Sequence, residues 1–265
     1  MFDFLNSLSK LQWDVNRYQN QHSFVWEYGS SLLDLVFDDD DTKPTSDLKI
    51  LDLGCGSGEL TAQLAERSGG EVIGLDADPE MVQRASEQYP NVKFVHGDMR
   101  NFDLGESRFD IIFSNAALHW VPPKDADLAV AAISRAMRPG AKLVVEFGGK
   151  GNVEVITKAL EKQLGASSPW YFPSVADFTT RLETVGGIET TMAHLYDRPT
   201  PLSEGSEGLK NWLRMFGNAF WKDSPAEAKL DEILDLVENE ARPALWDGKI
   251  WKADYRRLRI VGKKL

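Results

Sequence analysis

The fold is decided by the segment DLGCGSG, residues 52–58, which begins in the apolar run of residues 48–53 and ends in three closely spaced glycines. The apolar run predicts a β-strand. The glycines predict a tight turn after it, because glycine adopts positive φ and lets the backbone approach a ligand closely. In an open parallel sheet, ligands bind beyond the carboxyl ends of the strands. The segment therefore predicts a strand that leads into a ligand-binding turn.

The charges around this turn indicate which kind of ligand it binds. A dinucleotide fingerprint reads G-x-G-x-x-G, but here the sixth position is Glu59. A carboxylate at the start of the following helix would repel a phosphate. Asp52, two residues before the first glycine, adds a negative charge that suits a cationic group. We therefore expect an adenosyl compound that has an amino group and no phosphate.

Strands and helices alternate along the chain on the C-terminal side of this turn. Alternation with short links predicts a parallel sheet that is covered by helices on both faces. After residue 147 the alternation breaks, and two further strands are predicted at residues 188–196 and 255–261, with aromatic-rich helices between them. The strands of the regular part are predicted at residues 48–53, 71–75, 92–95, 109–114 and 141–147.

The chain is expected to form a single domain over residues 1–265. Within it, helical periodicity predicts an N-terminal helical cap at residues 1–36. Residues 48–147 are expected to form the cofactor-binding core. Residues 203–245 are expected to form a helical lid insertion over the carboxyl edge of the sheet.

Two aspartates follow the second and third predicted strands. Asp76 can bind both ribose hydroxyls of a nucleoside; the alternative, a helix-capping role, is already filled by Asp78, with Pro79 at the first helical position. Asp98 can accept a hydrogen bond from an adenine amino group while the N–H of Met99 faces a ring nitrogen. The alternative for Asp98 is a simple turn residue.

The segment after the fourth strand, residues 113–122, places His119 where a reactive group would be presented. An unperturbed imidazole titrates near pH 6.5, so His119 is the candidate catalytic residue, acting as a general base. The alternative is that it orients the substrate or packs beside Trp120. The candidate substrate-binding residues are His22, Trp120, Trp170, Tyr171, Trp212 and Phe216, of which the aromatic ones could form an apolar cage or simply pack between lid helices.

Together, residues 52–58, Asp76, residues 97–98 and the N-A-x-L-x-W segment of residues 115–120 resemble the class I methyltransferases that use S-adenosylmethionine. More closely, the chain resembles the trans-aconitate methyltransferase group. The likeness includes an N-terminal helix with Trp13 and extends over most of the chain. It implies a Rossmann-like α/β fold with a seven-stranded, mostly parallel sheet of order 3-2-1-4-5-7-6, in which strand 7 is antiparallel.

The resemblance also implies the ligands and their contacts. The cofactor would be S-adenosyl-L-methionine, giving S-adenosyl-L-homocysteine, with no metal. Gly54 and Asn115 would contact the methionine moiety through their backbone, Asp76 the ribose, and Asp98 with Met99 the adenine. The candidate cofactor-binding residues are Tyr18, Asp52, Gly54, Cys55, Gly56, Asp76, Ala77, Met81, Asp98, Met99 and Asn115.

Departures from the resemblance concern the acceptor. His119 stands where a glutamine is expected in trans-aconitate enzymes, and residues 22–26 and 170–173 also differ. Arg198 and Arg256 could pair with an acidic substrate. We expect methyl transfer to a carboxylate or hydroxyl oxygen of a small metabolite. The alternatives are N- or C-methylation of a small metabolite, or a cofactor-bound protein without methyl transfer.

Composition argues against nucleic acid and membrane as partners, and the resemblance implies a small-molecule acceptor. The net charge of −11 opposes binding to nucleic acid, which depends on Lys and Arg neutralising phosphates. The only cysteine, Cys55, allows no intrachain disulfide, which fits a cytoplasmic protein. No run approaches 18 consecutive apolar residues, so no membrane span is expected. The sequence does not indicate an oligomeric state.

Overall fold

The computed structural model describes residues 29–37, 45–220 and 227–265. Three of the residues named from the sequence, Trp13, Tyr18 and His22, lie outside the described residues, as does most of the expected N-terminal cap. The roles expected of these three residues therefore remain predictions.

One seven-stranded sheet organises the described chain, and its order is β3-β2-β1-β4-β5-β9-β6. The first five strands in the chain pair in parallel, whereas β9 is antiparallel to both β5 and β6. This confirms the predicted order and the antiparallel seventh strand, which is β9. A separate two-stranded ribbon pairs β7 with β8. The strands are β1 Lys49–Leu53, β2 Glu71–Asp76, β3 Lys93–His96, β4 Phe109–Asn115, β5 Met137–Gly148, β6 Ile188–Asp197, β7 Thr200–Pro201, β8 Lys252–Ala253 and β9 Arg256–Lys264.

Helices connect the strands, and one of them shows the predicted cap. The side chain of Asp78 accepts hydrogen bonds from the N–H groups of Glu80 and Met81, and Pro79 occupies the first turn. Among the described residues, no helix is long and apolar enough to cross a membrane. The helices are α1 Ser30–Leu33, α2 Glu59–Ser68, α3 Pro79–Gln88, α4 Ala126–Ala136, α5 Glu154–Leu164, α6 Val175–Thr184, α7 Gly208–Phe216 and α8 Glu227–Leu245.

Most residues of β1, β2, β4 and β5 are buried on both faces of the sheet, which explains why these strands read as nearly continuous apolar runs. Successive residues of a strand point to opposite faces. Ile112 therefore packs with Val130 of α4 and Phe178 of α6. Its neighbour Phe113 packs on the other face with Leu64 of α2.

A third apolar core lies among α5, α7 and α8 and is rich in aromatic side chains. Trp212, Trp251 and Tyr255 are buried in it, and the indole N–H of Trp212 donates to the Tyr255 hydroxyl at 2.6 Å. Helices α7 and α8 fall within residues 203–245, the segment expected to form a lid. Their side chains pack chiefly with α5 and with one another. The core that they form is separate from the two cores that flank the sheet.

Two local features differ from the sequence-based expectation. Strand β5 begins at Met137 instead of residue 141, because the chain pairs with Phe109 before an irregularity in register. The ribbon of β7 and β8 was not predicted, since strands of two residues have no readable periodicity. Neither difference alters the order of the main sheet.

Candidate functional site

A cavity of about 460 Å³ lies at the carboxyl ends of β1, β2 and β4. We call one part the glycine end, defined by Gly54, Gly56, Asp76, Met99 and Asn115. We call the other part the aromatic end, defined by the lining residues His119, Trp120, Trp170, Trp212, Phe216 and Arg257.

Gly54 fixes the shape of the glycine end. Its φ is +73°, and its N–H donates to the carbonyl of Leu75 at 2.7 Å. A Cβ on Gly54 would lie 2.2 Å from the Cβ of Ala117, far inside van der Waals contact. Only glycine therefore fits here, and the turn packs directly against the segment that follows β4.

Asp76 holds the glycine turn and also lines the cavity. Its Oδ2 accepts from the N–H of Gly56 at 2.8 Å, and its Oδ1 accepts from the N–H of Asp78 at 2.9 Å. Burial raises the pKa of this carboxyl group, while the backbone N–H groups oppose the rise. The side chain thus links the ends of β1 and β2.

Asp52 and Cys55 were also expected to bind the cofactor, but neither is among the residues that line the cavity. Asp52 is 2% exposed and accepts a hydrogen bond from the Thr61 hydroxyl at 2.7 Å. Burial raises the pKa of Asp52 to about 7, against the effect of the Thr61 hydrogen bond and with a smaller contribution from the charge of Asp76. Cys55 is buried as well, and burial raises the pKa of its thiol.

The carboxylate of Asp98 is engaged by a neighbour and does not line the cavity, whereas Met99 does. The guanidinium of Arg100 donates to both oxygens of Asp98 and pairs with Asp125 at 2.9 Å. Burial raises the pKa of Asp98, but hydrogen bonds and charge from Arg100 outweigh it and hold the pKa below its usual range. In this arrangement Met99 is the member of the pair that reaches the cavity.

The charges that line the glycine end suit a cationic ligand. Its ionisable side chains include Asp76, Asp78 and Glu80, and the described lining there contains no Lys or Arg. S-Adenosylmethionine, with its sulfonium and ammonium groups, fits such a surface, whereas a pyrophosphate would be repelled. Among the described residues, no group of three or more His, Cys, Asp and Glu side chains could hold a metal ion.

His119 is one of the lining residues of the aromatic end and is 8% exposed. Burial lowers its pKa well below the usual value near 6.5, and the positive charge of Arg257 lowers it further. The ring is therefore neutral at physiological pH. Its Nδ1 accepts a hydrogen bond from the N–H of Gly148 at 3.4 Å, which places the single ring proton on Nε2.

Trp170 lies at the centre of the aromatic end. Its ring centroid is 5.9 Å from that of Trp120 and 6.0 Å from that of Trp212. The indole N–H of Trp170 is buried and has no hydrogen-bond partner. Tyr171, also expected here, does not line the cavity: its ring packs in the sheet core, and its hydroxyl donates to Asp177 at 2.5 Å.

Arg257 lines the cavity and was missed in the sequence. The two arginines considered there are engaged elsewhere: Arg198 pairs with Glu146 at 2.8 Å, and Arg256 pairs with Asp197 at 3.2 Å. Because successive residues of a strand point to opposite faces, the sequence places residue 257 on the face opposite to its two neighbours. It does not tell which of the two faces is enclosed. Other lining residues that were not candidates in the sequence include Asn152, Val153 and Tyr255; Phe172, which also lines the cavity, falls within residues 170–173.

Two non-glycine residues with positive φ also line the cavity, Ala116 at +59° and Val153 at +44°. A positive φ is especially unfavourable for a β-branched residue such as valine. Val153 is held there by its N–H, which donates to the carbonyl of Asp254 at 2.9 Å. Backbone strain of this kind often occurs where a ligand is bound.

Comparison with known proteins supplies relatives for the whole chain. Residues 50–140 match the family described as methyltransferase domain. An uncharacterized methyltransferase of Schizosaccharomyces pombe is 30% identical, over 95% of this chain and 98% of the relative. A trans-aconitate 2-methyltransferase of Deinococcus radiodurans is 32% identical, over 63% of this chain and 67% of the relative.

Solved structures show a similar fold at lower sequence identity. A putative methyltransferase from Bacillus halodurans superimposes with a TM-score of 0.63 at 17% identity, covering 89% of this chain and 97% of that one. At this identity the likeness is one of fold, and it covers 89% of the chain.

Proposed function

We propose that this chain, which belongs to the class I S-adenosylmethionine-dependent methyltransferases, methylates a carboxylate oxygen of a small organic acid. When bound, S-adenosylmethionine supplies an electrophilic methyl group, whose carbon–sulfur bond breaks with its electron pair left on sulfur as the acceptor oxygen bonds to carbon. The products are a methyl ester and S-adenosylhomocysteine, and no proton is transferred.

The observation that carries this proposal is the state of His119. A neutral imidazole whose Nδ1 accepts from Gly148 has a proton on Nε2, so Nε2 can donate but cannot take a proton from the acceptor. Hydroxyl and ammonium acceptors need a base, whereas a carboxylate is already ionised at neutral pH. His119 then orients the acceptor by donating to it, which favours the second of the two roles considered for it.

The volume of the cavity and the name of one relative support the same assignment. The cavity of about 460 Å³ must hold both the cofactor and the acceptor, so the acceptor is small. The Deinococcus radiodurans relative is named a trans-aconitate 2-methyltransferase, and trans-aconitate is a small organic acid. Positioning of the two reactants is the main contribution that such a site can make to the rate.

The test is methyl transfer from methyl-labelled S-adenosylmethionine to a panel of small acids, with matched alcohols and amines. We expect label in products that mild alkali releases, because methyl esters hydrolyse under conditions in which ethers, methylamines and C-methyl groups survive. A reaction without acceptor is the control. Alkali-stable label as the main product would overturn the carboxylate assignment.

His119 variants test the orienting role separately. His119→Gln keeps a side-chain donor and should retain kcat, with KM for the acid raised only a few-fold. His119→Ala should raise that KM roughly tenfold or more, the range for one hydrogen bond to a charged group. The pH–rate profile of the wild type should show no ionisation near pH 6.5 that is absent from the profiles of the variants. Such an ionisation would support the general-base role instead.

A further inference from the structure

A positive charge without a counter-charge is enclosed in the aromatic end. Arg257 is 3% exposed, and neither its Nε nor its Nη1 has a hydrogen-bond partner. The nearby acid, Glu146, is already engaged by the Arg198 guanidinium at 2.8 Å and the Arg259 guanidinium at 2.6 Å. The hydroxyl of Tyr196 also donates to Glu146 at 2.8 Å. No described acid therefore neutralises Arg257 directly.

The fold holds this guanidinium in one place. Arg257 lies in β9, directly opposite Gly148 of β5 and Tyr196 of β6. Its guanidinium lies over the ring of Tyr255, 4.5 Å from the centroid, which is a favourable cation–π distance. Burial lowers its pKa to about 10, with a further contribution from the charge of Arg198, so the group remains a cation at neutral pH.

The chemistry of methyl transfer decides which anion this cation should bind. A carboxylate that is methylated loses its charge, so pairing it with Arg257 would stabilise the ground state more than the transition state and slow the reaction. A carboxylate that stays ionised carries no such penalty. A guanidinium also presents two parallel donors that match the two oxygens of a carboxylate.

We propose that Arg257 is the specificity-determining residue of the aromatic end and binds a second carboxylate of the acceptor, one that stays ionised while the other is methylated. The inference rests on the proposed function and narrows it to acids with at least two carboxylates. The unpartnered indole N–H of Trp170, which lines the same end, supplies a further donor for such a group.

Fumarate and crotonate form the matched probe pair, because they share a trans four-carbon skeleton and differ by one carboxylate; trans-aconitate is added as a tricarboxylate. Their binding to the protein saturated with S-adenosylhomocysteine is measured by calorimetry, and their turnover is measured separately. We expect the wild type to prefer fumarate to crotonate at least tenfold. Arg257→Met should weaken fumarate binding roughly 10- to 100-fold and leave crotonate unchanged.

Arg256→Met is the matched control, since the neighbouring side chain pairs with Asp197 and does not line the cavity. It should keep the wild-type preference. Arg257→Lys keeps the charge without the two-pronged donor and should fall between wild type and Arg257→Met. Unchanged affinity for S-adenosylhomocysteine shows that a variant is folded. If Arg257→Met does not fold, Arg257→Lys serves as the second variant.

The inference is overturned if Arg257→Met, or Arg257→Lys in its place, keeps the full preference for fumarate, or if the wild type binds none of the polycarboxylates. The proposed function fails separately, if acids bind but no alkali-labile methyl ester forms from any of them. In that case the anion site at Arg257 would still be measurable by calorimetry.

Discussion

The two ends of the cavity are built in different ways. The glycine end is made of residues at the carboxyl ends of β1, β2 and β4 and in the loop after β3. The aromatic end is made of side chains from four distant segments, namely His119, Trp120, Trp170, Phe172, Trp212, Phe216, Tyr255 and Arg257. The glycine end is therefore built from short segments at one edge of the sheet, whereas the aromatic end is assembled from distant parts of the chain.

On the proposed function, the glycine end binds the cofactor and the aromatic end selects the acceptor. At Gly54 the glycine end leaves no room for variation, because a single added carbon atom would collide with Ala117. A surface made of side chains can change its charge or shape one residue at a time. Substitutions at the glycine end should therefore alter stability and cofactor affinity, and those at the aromatic end should alter acceptor preference.

The largest expected effect compares two glycines of the same turn. Gly54→Ala should lower the free energy of unfolding by about 2–5 kcal/mol, since its Cβ would meet Ala117 and its φ is positive. Gly56→Ala has a positive φ but nothing within 4 Å of the new Cβ, so about 1–2 kcal/mol is expected. Urea denaturation without ligand measures both. Equal losses in the two variants would mean that the contact with Ala117 does not constrain the turn.

The next effect concerns the carboxylate that links the turn to β2. Asp76→Ala should weaken binding of S-adenosylhomocysteine by about 1.5–3 kcal/mol, the scale of hydrogen bonds to a charged group. Since Asp76 also accepts from Gly56 and Asp78, a loss of about 1 kcal/mol in stability without ligand is expected. Calorimetry and denaturation separate the two quantities, with the exposed Asp103→Ala as control. Loss of stability with unchanged affinity would make Asp76 purely structural.

The smallest effect is a pH dependence of stability, in which Asp52, buried two residues before Gly54, is compared with His119 of the aromatic end. Folded Asp52 has a pKa near 7 against 3.8 for the free side chain, so it binds a proton that the unfolded chain has released, and stability rises as pH falls from 7 towards 4. Neutral His119 has the opposite sign: the unfolded chain binds a proton below about pH 6.5 that the folded chain does not, so stability falls there. Each contributes at most about 1.4 kcal/mol per pH unit.

Denaturation between pH 5 and pH 8 without ligand checks these signs. Asp52→Asn should lose stability more steeply than the wild type as pH falls, because the stabilising protonation is gone. His119→Gln should lose it less steeply, because the destabilising protonation is gone. Identical slopes in all three proteins would contradict the assigned protonation states.

The contrast between the ends also explains what the sequence could predict. The lining role of Gly54 followed from a local pattern, because a glycine turn after an apolar strand has few structural alternatives. The sheet order followed from the resemblance to the class I methyltransferases. Arg257 could not be found in this way, because three of the four residues from 256 to 259 are arginines and only tertiary packing decides which is enclosed. Tyr171 was a candidate for the same apolar cage as Trp170 because both are aromatic, but only tertiary packing decides that Trp170 lines the cavity and that the Tyr171 ring packs in the sheet core.

The position of β9 in the sheet determines the order in which the two ends of the cavity can form during folding. Strand β6 reaches the sheet only through β9, where Ile188 pairs with Lys264 and Asp197 with Arg256. Strands β1 to β5 can pair as they are synthesised, but β6 has no neighbour in the sheet until the far later β9 has inserted beside β5, and contacts between distant residues form slowly. Arg257 arrives with that same strand. We therefore expect a folding chain to complete the glycine end before the aromatic end, so that selectivity for the acceptor is the last property of the molecule to appear.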